Sequence, residues 1–260
     1  MDRRNFLAAG AVAAVSPLPR LEALTQDEPR QYIELRRYQL LPGTKQRAFT
    51  SFIGDAAIPA MNRAGISAVG AFTVVYGENA PSLLLVIPHR TLDGIVSLRE
   101  ALASDATYGR DGAAILDTPM SDPAFVRVES TLLRAFASIP RLEVSPAPRN
   151  APRRIFELRT YESHSDRAAL NKVRMFDAGE VPIFRRAGLT PVFFGETVIG
   201  AKMPSLTYMI SLPDMAARDA AWSRFGQDPA WKTLSADPQY RDNVSAISDI
   251  ILQATSYSQI

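Results

Sequence analysis

Cysteine is absent from the chain, and histidine occurs only twice, at His89 and His164. Without a thiol there is no disulfide framework, cysteine nucleophile, iron–sulfur cluster or thiolate-held zinc. Two histidines leave little for a histidine-rich metal centre, and no metal is expected. An excess of one charge is missing as well. The 29 Lys and Arg residues face 27 Asp and Glu, too even a balance for the basic footprint that nucleic acid binding needs. No Gly-rich phosphate loop, His-Glu-x-x-His helix or Gly-x-Ser-x-Gly elbow occurs, so nucleotide, zinc-protease and α/β-hydrolase chemistry lack support. The apolar run 6–15 is about half the length of a membrane span, and no permanent membrane anchor is expected. What is present is a 260-residue chain, 47% hydrophobic. That is long enough to bury a core without covalent staples and to form one or two domains.

The first thirty residues read as an address. A charged start, Asp2-Arg3-Arg4, leads into the apolar run and then into Ser16-Pro17-Leu18-Pro19-Arg20, the three-part layout of a signal peptide. Arg3-Arg4-Asn5-Phe6-Leu7 resembles a twin-arginine export signal. That resemblance implies recognition by the twin-arginine machinery and a periplasmic or extracellular destination. Small residues at Ala11/Ala13 and at Leu21-Glu22-Ala23 offer two cleavage points. Arg3, Arg4, Arg20 and Asp2 all precede the second, so the formal +2 belongs to the address and the remainder is balanced.

The rest of the chain is written twice. Tyr32-Ile33-Glu34-Leu35-Arg36-Arg37-Tyr38 reappears as Ile155-Phe156-Glu157-Leu158-Arg159-Thr160-Tyr161, and the same spacing pairs Arg63-Ala64-Gly65 with Arg186-Ala187-Gly188, Pro59 with Pro182, and Asp105 with Asp228. Residues 31–138 and 154–260 are therefore two copies. The Pro-bearing stretch 139–153 is the linker between them.

Within each copy, Glu34/Arg36/Tyr38 alternate with Ile33/Leu35, the period-two pattern of a strand. A helix follows, with Thr44 or Asp166 as N-cap, interrupted near Pro59 or Pro182 and closed by a C-terminal glycine. Two strands, a second helical region with a short helix begun at Asp105 or Asp228, and a last strand complete the order β-α-β-β-α-β. The fold class is α+β: two tandem ferredoxin-like repeats whose sheets cover each other face to face.

The repeated Glu-Leu-Arg-x-Tyr strand, the helix ending Arg-Ala-Gly and this element order resemble the NIPSNAP family across both copies. The resemblance implies membership of the dimeric α/β-barrel superfamily, here with both units in one chain forming an intrachain barrel. Relatives there include cofactor-independent monooxygenases, isomerases and haem-handling proteins. The resemblance thus implies small-molecule binding or cofactor-independent catalysis by proton transfer or oxygenation, with no cofactor required. A non-catalytic interaction scaffold and haem handling are the alternatives, and further association into a homo-oligomer stays open.

The candidate catalytic residues are Glu34, Arg36 and Tyr38 with their copies Glu157, Arg159 and Tyr161. Alternation puts each trio on one strand face, expected to be the face turned toward the other sheet. Desolvated there, the carboxylate would accept a proton, the guanidinium anchor an anionic organic ligand, and the phenol donate. Alternatively, each trio is a closed ion pair that fixes the strand. His89 and His164 read as surface-loop residues, with proton transfer or haem and metal ligation as other roles. Arg63 and Arg186 complement the dipole of the helix they end, and Trp222, Phe225 and Trp231 read as core.

Overall fold

The computed structural model describes residues 29–78, 80–144 and 154–260. Residues 1–28, where an export signal is expected, and residues 145–153 of the expected 139–153 linker lie outside the described residues. The first copy runs β1 (Tyr32–Gln39), α1 (Thr44–Phe52), α2 (Ile58–Arg63), β2 (Gly70–Tyr76), β3 (Ser82–His89), α3 (Asp93–Ser104), α4 (Ala106–Leu116) and β4 (Arg127–Ala135). The second repeats it as β5 (Ile155–Glu162), α5 (Asp166–Met175), α6 (Val181–Ala187), β6 (Thr190–Ile199), β7 (Ser205–Leu212), α7 (Met215–Gln227), α8 (Pro229–Ala236) and β8 (Ala246–Ala254).

The repeated prolines shape the first helix of each copy. Pro59 and Pro182 have no N–H to donate to the preceding turn, and both helices widen there into a π turn, Ile53–Ala57 and Phe176–Glu180. Ile58 N–H reaches Ile53 O, and Val181 N–H reaches Phe176 O. Gly65 and Gly188 then end the helices at φ 86° and 87°, where a Cβ would be strained. The N-caps sit one residue earlier than the sequence suggests. Ser165 has the extended geometry of a cap and accepts from Ala168 N–H, so Asp166 is already helical. Gly43 precedes α1 with no side-chain cap, leaving Thr44 inside the helix. Asp105 and Asp228 do cap α4 and α8.

Each copy forms a four-stranded antiparallel sheet, β4-β1-β3-β2 and β8-β5-β7-β6, and the two sheets join at both edges into a closed eight-stranded barrel. The seams are β2 with β8 and β4 with β6. Closure consumes the edges that an open sheet would expose. The barrel interior is packed by Ile33, Leu35, Phe72, Val86, Leu133, Phe156, Leu158, Phe193, Met209 and Leu252. Outside, the helices of copy one cover Leu83, Leu85 and Ile87 with Phe49 and Ile53, and those of copy two cover Tyr208, Ile210 and Phe194 with Phe176, Phe184 and Phe225. Each such side chain contributes about 1.5–3 kcal/mol by leaving water. One barrel end is closed by the segment after β8, which bonds back to copy one through Thr255 N–H to Ala71 O and Gln259 N–H to Val69 O. That segment places Ile260 in the interior cluster, against Gly70.

The β4–β6 seam is tight enough to demand glycine at one point. A Cβ on Gly195 would stand 2.7 Å from Leu133 Cβ on the facing strand. Gly195→Ala is therefore expected to lower stability by about 1–3 kcal/mol through overpacking, measured as a shift of the urea midpoint. An unchanged midpoint would show that the seam is not close-packed there.

Candidate functional site

The two Glu-Arg-Tyr trios point away from the barrel interior, contrary to the expectation from sequence. In register, Glu34, Arg36 and Tyr38 lie beside Ile87, Leu85 and Leu83, which belong to the layer under the helices. Glu157, Arg159 and Tyr161 lie beside Ile210, Tyr208 and Leu206 in the equivalent layer of copy two. Period-two alternation fixes which residues share a face but not which face turns inward. The fully apolar positions, Ile33/Leu35 and Phe156/Leu158, took the interior, where no helix could bring a counter-charge.

In copy one, both Glu34 oxygens are occupied. Arg36 donates Nε at 2.8 Å and Nη2 at 3.0 Å, His89 Nε2 lies 3.2 Å away, and Ser130 Oγ donates from β4. Burial pushes the Glu34 carboxyl up, yet the bonds from His89, Arg36 and Ser130 outweigh it and hold the pKa down at about 2. His89 is buried rather than on a surface loop, because β3 extends to it and pairs it with Tyr32. Tyr38 packs its ring 4.8 Å from Phe49.

Copy two solves the same problem with different donors. Glu157 is fully buried and accepts from Arg159 Nη1 at 2.8 Å, from Arg218 Nε and Nη2 at 2.9 and 2.8 Å, and from Trp222 Nε1 at 2.9 Å. Burial raises its pKa, but the Arg218, Trp222 and Arg159 bonds win and lower it. Tyr161 and Tyr208 share a hydroxyl bond of 2.9 Å, and burial raises both phenol pKa values. Both carboxylates are occupied by their donors, and neither trio is part of the lining of the cavity at the barrel end.

One buried charged pair has no counterpart in copy one. Lys172 Nζ donates to Glu180 at 2.7 Å, 4.6 Å from the centre of the Phe176 ring, with both residues buried. The equivalent positions in copy one are the apolar Phe49 and Ala57. That substitution was the available signal, and reading the copies for likeness alone passes over it. The two helix-ending arginines also do more than meet a helix dipole. Arg63 lies 2.7 Å from Asp105 and Arg186 lies 3.1 Å from Asp228, so each clamps the N-cap of the short helix in its own copy. Phe225 packs 4.5 Å from Trp231 and 5.5 Å from Trp222, in the core as expected, although Trp222 also spends its N–H on Glu157.

The opening of the structure lies elsewhere, at the barrel end opposite Ile260. A cavity of about 520 Å³ enters the interior there, within the range usual for small organic ligands. Leu35, Leu158, Leu84 and Leu252 line it with Arg37, Glu129 and the hydroxyl residues Thr160, Thr197, Ser205 and Thr207. Arg37 donates Nη2 to Glu129 at 2.6 Å, which holds the Glu129 carboxyl below its ordinary value. Neither histidine lines the cavity, since His89 is closed on Glu34 and His164 is exposed on the loop after β5. The cavity therefore offers haem iron no histidine ligand. Among the described residues no group of three or more His, Asp or Glu side chains could hold a metal ion, and no helix is long and apolar enough to cross a membrane.

The NIPSNAP family profile matches residues 33–139 and 156–259. No curated protein matches the sequence. Among solved structures, the chain is similar to a provisionally named monooxygenase from Lactobacillus acidophilus NCFM, at 8% identity and a TM-score of 0.57, covering 86% of this chain and 94% of that one. A second provisionally named monooxygenase, from Fusobacterium nucleatum subsp. nucleatum ATCC 25586, superposes at 0.56 with 8% identity, covering 87% and 93%. An anthrone oxidase-like protein superposes at 0.51 with 11% identity, covering 88% and 93%. At these identities the likeness is one of fold.

The depressed Glu34 pKa sets a test of the closed-pair geometry. Glu34 contributes stability that is fully present above its unfolded value of 4.5 and lost as pH falls toward about 2. The full contribution is on the order of 3 kcal/mol. Glu34→Gln is expected to cost about that much at neutral pH and to flatten the decline of stability between pH 4.5 and 2, both read from denaturation at stepped pH. A variant as stable as the parent would mean the carboxylate is not held as described.

Proposed function

The chain belongs to the NIPSNAP family, and from that premise we propose that it binds a small organic molecule in the open end of its barrel. The observation that carries this reading is the cavity of about 520 Å³, floored by Leu35 and Leu158 and edged by Thr and Ser hydroxyls. Apolar walls with a few convergent polar groups are the usual make-up of a ligand site. The Glu-Arg-Tyr trios have neither feature. Their carboxylates are saturated by Arg36, His89 and Ser130 in one copy and by Arg159, Arg218 and Trp222 in the other, so they tie β1 to β3 and β4 in the first and fasten α7 to the barrel wall in the second.

Proton transfer or oxygenation without a cofactor belongs, in this proposal, to the same cavity. The hydroxyls would orient the bound molecule, and Glu129 or Glu78 at the rim is the carboxylate near it. In this proposal binding takes place outside the cytoplasm, a reading supported by the resemblance of Arg3-Arg4-Asn5-Phe6-Leu7 to an export signal.

Filling the cavity tests the site. N-phenyl-1-naphthylamine, an uncharged probe that fluoresces in apolar surroundings, is expected to bind the parent protein and to bind Leu158→Trp at least about tenfold more weakly, as its volume is taken by indole. Leu35→Trp, from the facing wall, should do the same, with melting temperature as the control for folding. Undiminished binding in both folded variants would place the ligand elsewhere.

A further inference from the structure

The cavity lining is divided by chemistry into two continuous arcs. Around the barrel the strand order is β1-β3-β2-β8-β5-β7-β6-β4. Leu84, Val74 and Ile250 with Leu252 come from the neighbours β3, β2 and β8 and make an aliphatic wall, to which β8 adds Ser248 and Asp249 nearer the rim. The next four neighbours, β5, β7, β6 and β4, each bring hydroxyls, Thr160, Thr207 with Ser205, Thr197, and Thr131 with Ser130, beside the aliphatic Leu158 and Ile199 and the carboxylate of Glu129. β1 stands between the arcs at the remaining junction and contributes Leu35 and Arg37.

Duplication makes this division visible as a change. Val74 and Leu84 occupy the positions of Thr197 and Thr207 in the other copy, and Ile250 occupies that of Thr131. The exchange on the last strand runs in the opposite sense from the other two. It has to, because β4 crosses the seam to lie beside β6, and β8 crosses to lie beside β2. Each reversal therefore adds to the arc of its spatial neighbour rather than breaking it.

The hydroxyls are arranged as pairs, Thr160 with Thr207 at 3.0 Å and Thr197 with Ser205 at 2.9 Å. In each pair one hydrogen is spent between the two oxygens. The other is left to donate, and lone pairs remain to accept. Such an edge serves a carbonyl, a phenol or an alcohol equally. The cations nearby are already opposed: Arg37 is bonded to Glu129 at 2.6 Å, and Lys202 lies 3.9 Å from Glu162. A carboxylate ligand would compete with Glu129 for Arg37 or with Glu162 for Lys202, and would sit beside the carboxylates of Glu129 and Glu78 at the rim.

We propose that the barrel cavity selects uncharged molecules with one apolar face and a carbonyl or hydroxyl edge, the apolar face lying on the Val74–Leu84–Ile250 arc and the polar edge on the Thr160–Thr207 and Thr197–Ser205 pairs. The inference rests on the cavity being the binding site, and the two can fail separately.

Three probes of one ring system test it on the full chain near neutral pH: naphthalene, 1-naphthol and 1-naphthoate. 1-Naphthol is expected to bind at least about tenfold more tightly than either of the others, the discrimination a hydrogen-bonding site can supply. In the Thr160→Val/Thr207→Val double variant, which removes a whole pair and orphans no hydroxyl, 1-naphthol should weaken about tenfold while naphthalene stays within about twofold. Naphthoate binding as tightly as naphthol, or a double variant that leaves the preference unchanged, overturns the selectivity while Leu158→Trp still weakens binding at least about tenfold. Probes that bind equally well to Leu158→Trp, or that do not bind the parent at all, overturn the cavity reading and this inference together.

Discussion

The pairing of β2 with β8 and of β4 with β6 is the contact on which the rest of the molecule depends. Alone, either four-stranded sheet would have helices on one face, a bare apolar face on the other and two unpaired edges. Joining both edges across the duplication answers all of this together, because it pairs the edge amides and encloses Ile33, Leu35, Phe156 and Leu158 against each other. The seams are not uniform. Both shift register toward the open end, between Val74 and Tyr76 on one side and at Leu132/Leu133 on the other. Bulges of this kind bend strands at barrel rims, and here they fall beside Val74, Thr197 and Ile199, which line the cavity. Closure and opening thus come from the same two ladders.

Closure also explains where the charges went. An inward-facing carboxylate would meet the apolar face of the opposite sheet with no donor in reach, at a cost of several kcal/mol. Facing outward, Glu34 and Glu157 lie where the covering elements can answer them. Copy one answers from its own sheet, with His89 at the end of β3 and Ser130 on β4. Copy two answers from a helix, with Arg218 and Trp222 of α7. The repeat thus preserves the buried anion and lets its donors diverge, as expected if satisfying the carboxylate matters more than how it is satisfied.

Much of the fold was legible in the sequence because duplication supplied its own comparison. One repeated strand, one repeated proline and one repeated Arg-Ala-Gly located the elements, and the β-α-β-β-α-β order then led to two facing sheets. The errors share a cause. Alternation assigns side chains to faces, but β1 and β5 are covered on both, so polarity alone could not tell helix side from interior. His89 was misplaced because a histidine following an aliphatic run looks like the start of a loop, whereas Tyr32 keeps it in the ladder. The cavity went unread for a subtler reason. Thr160, Thr197 and Thr207 are ordinary strand residues by propensity, and a search for likeness between copies discards the positions where Thr replaces Val or Leu.

Those discarded positions carry the argument about function furthest. Two identical domains assembling into the same barrel would present each lining position twice, so a threonine gained on one wall would appear on the other and the two halves of the lining could not differ. A single chain escapes that constraint because its halves mutate independently. Leu35 and Leu158, which form the shared floor, have not diverged. Arg37 and Thr160, one pleat further toward the opening, have. Packing holds the floor fixed, while the rim, with solvent on one side, is free to become two-sided. The deeper interior has diverged too, at Ile33/Phe156 and Val86/Met209, but there the exchange stays among apolar residues. A change from aliphatic to hydroxyl at the opening fits the proposed ligand better than stability alone, since Thr207 contributes less apolar packing than Leu84 at the equivalent position.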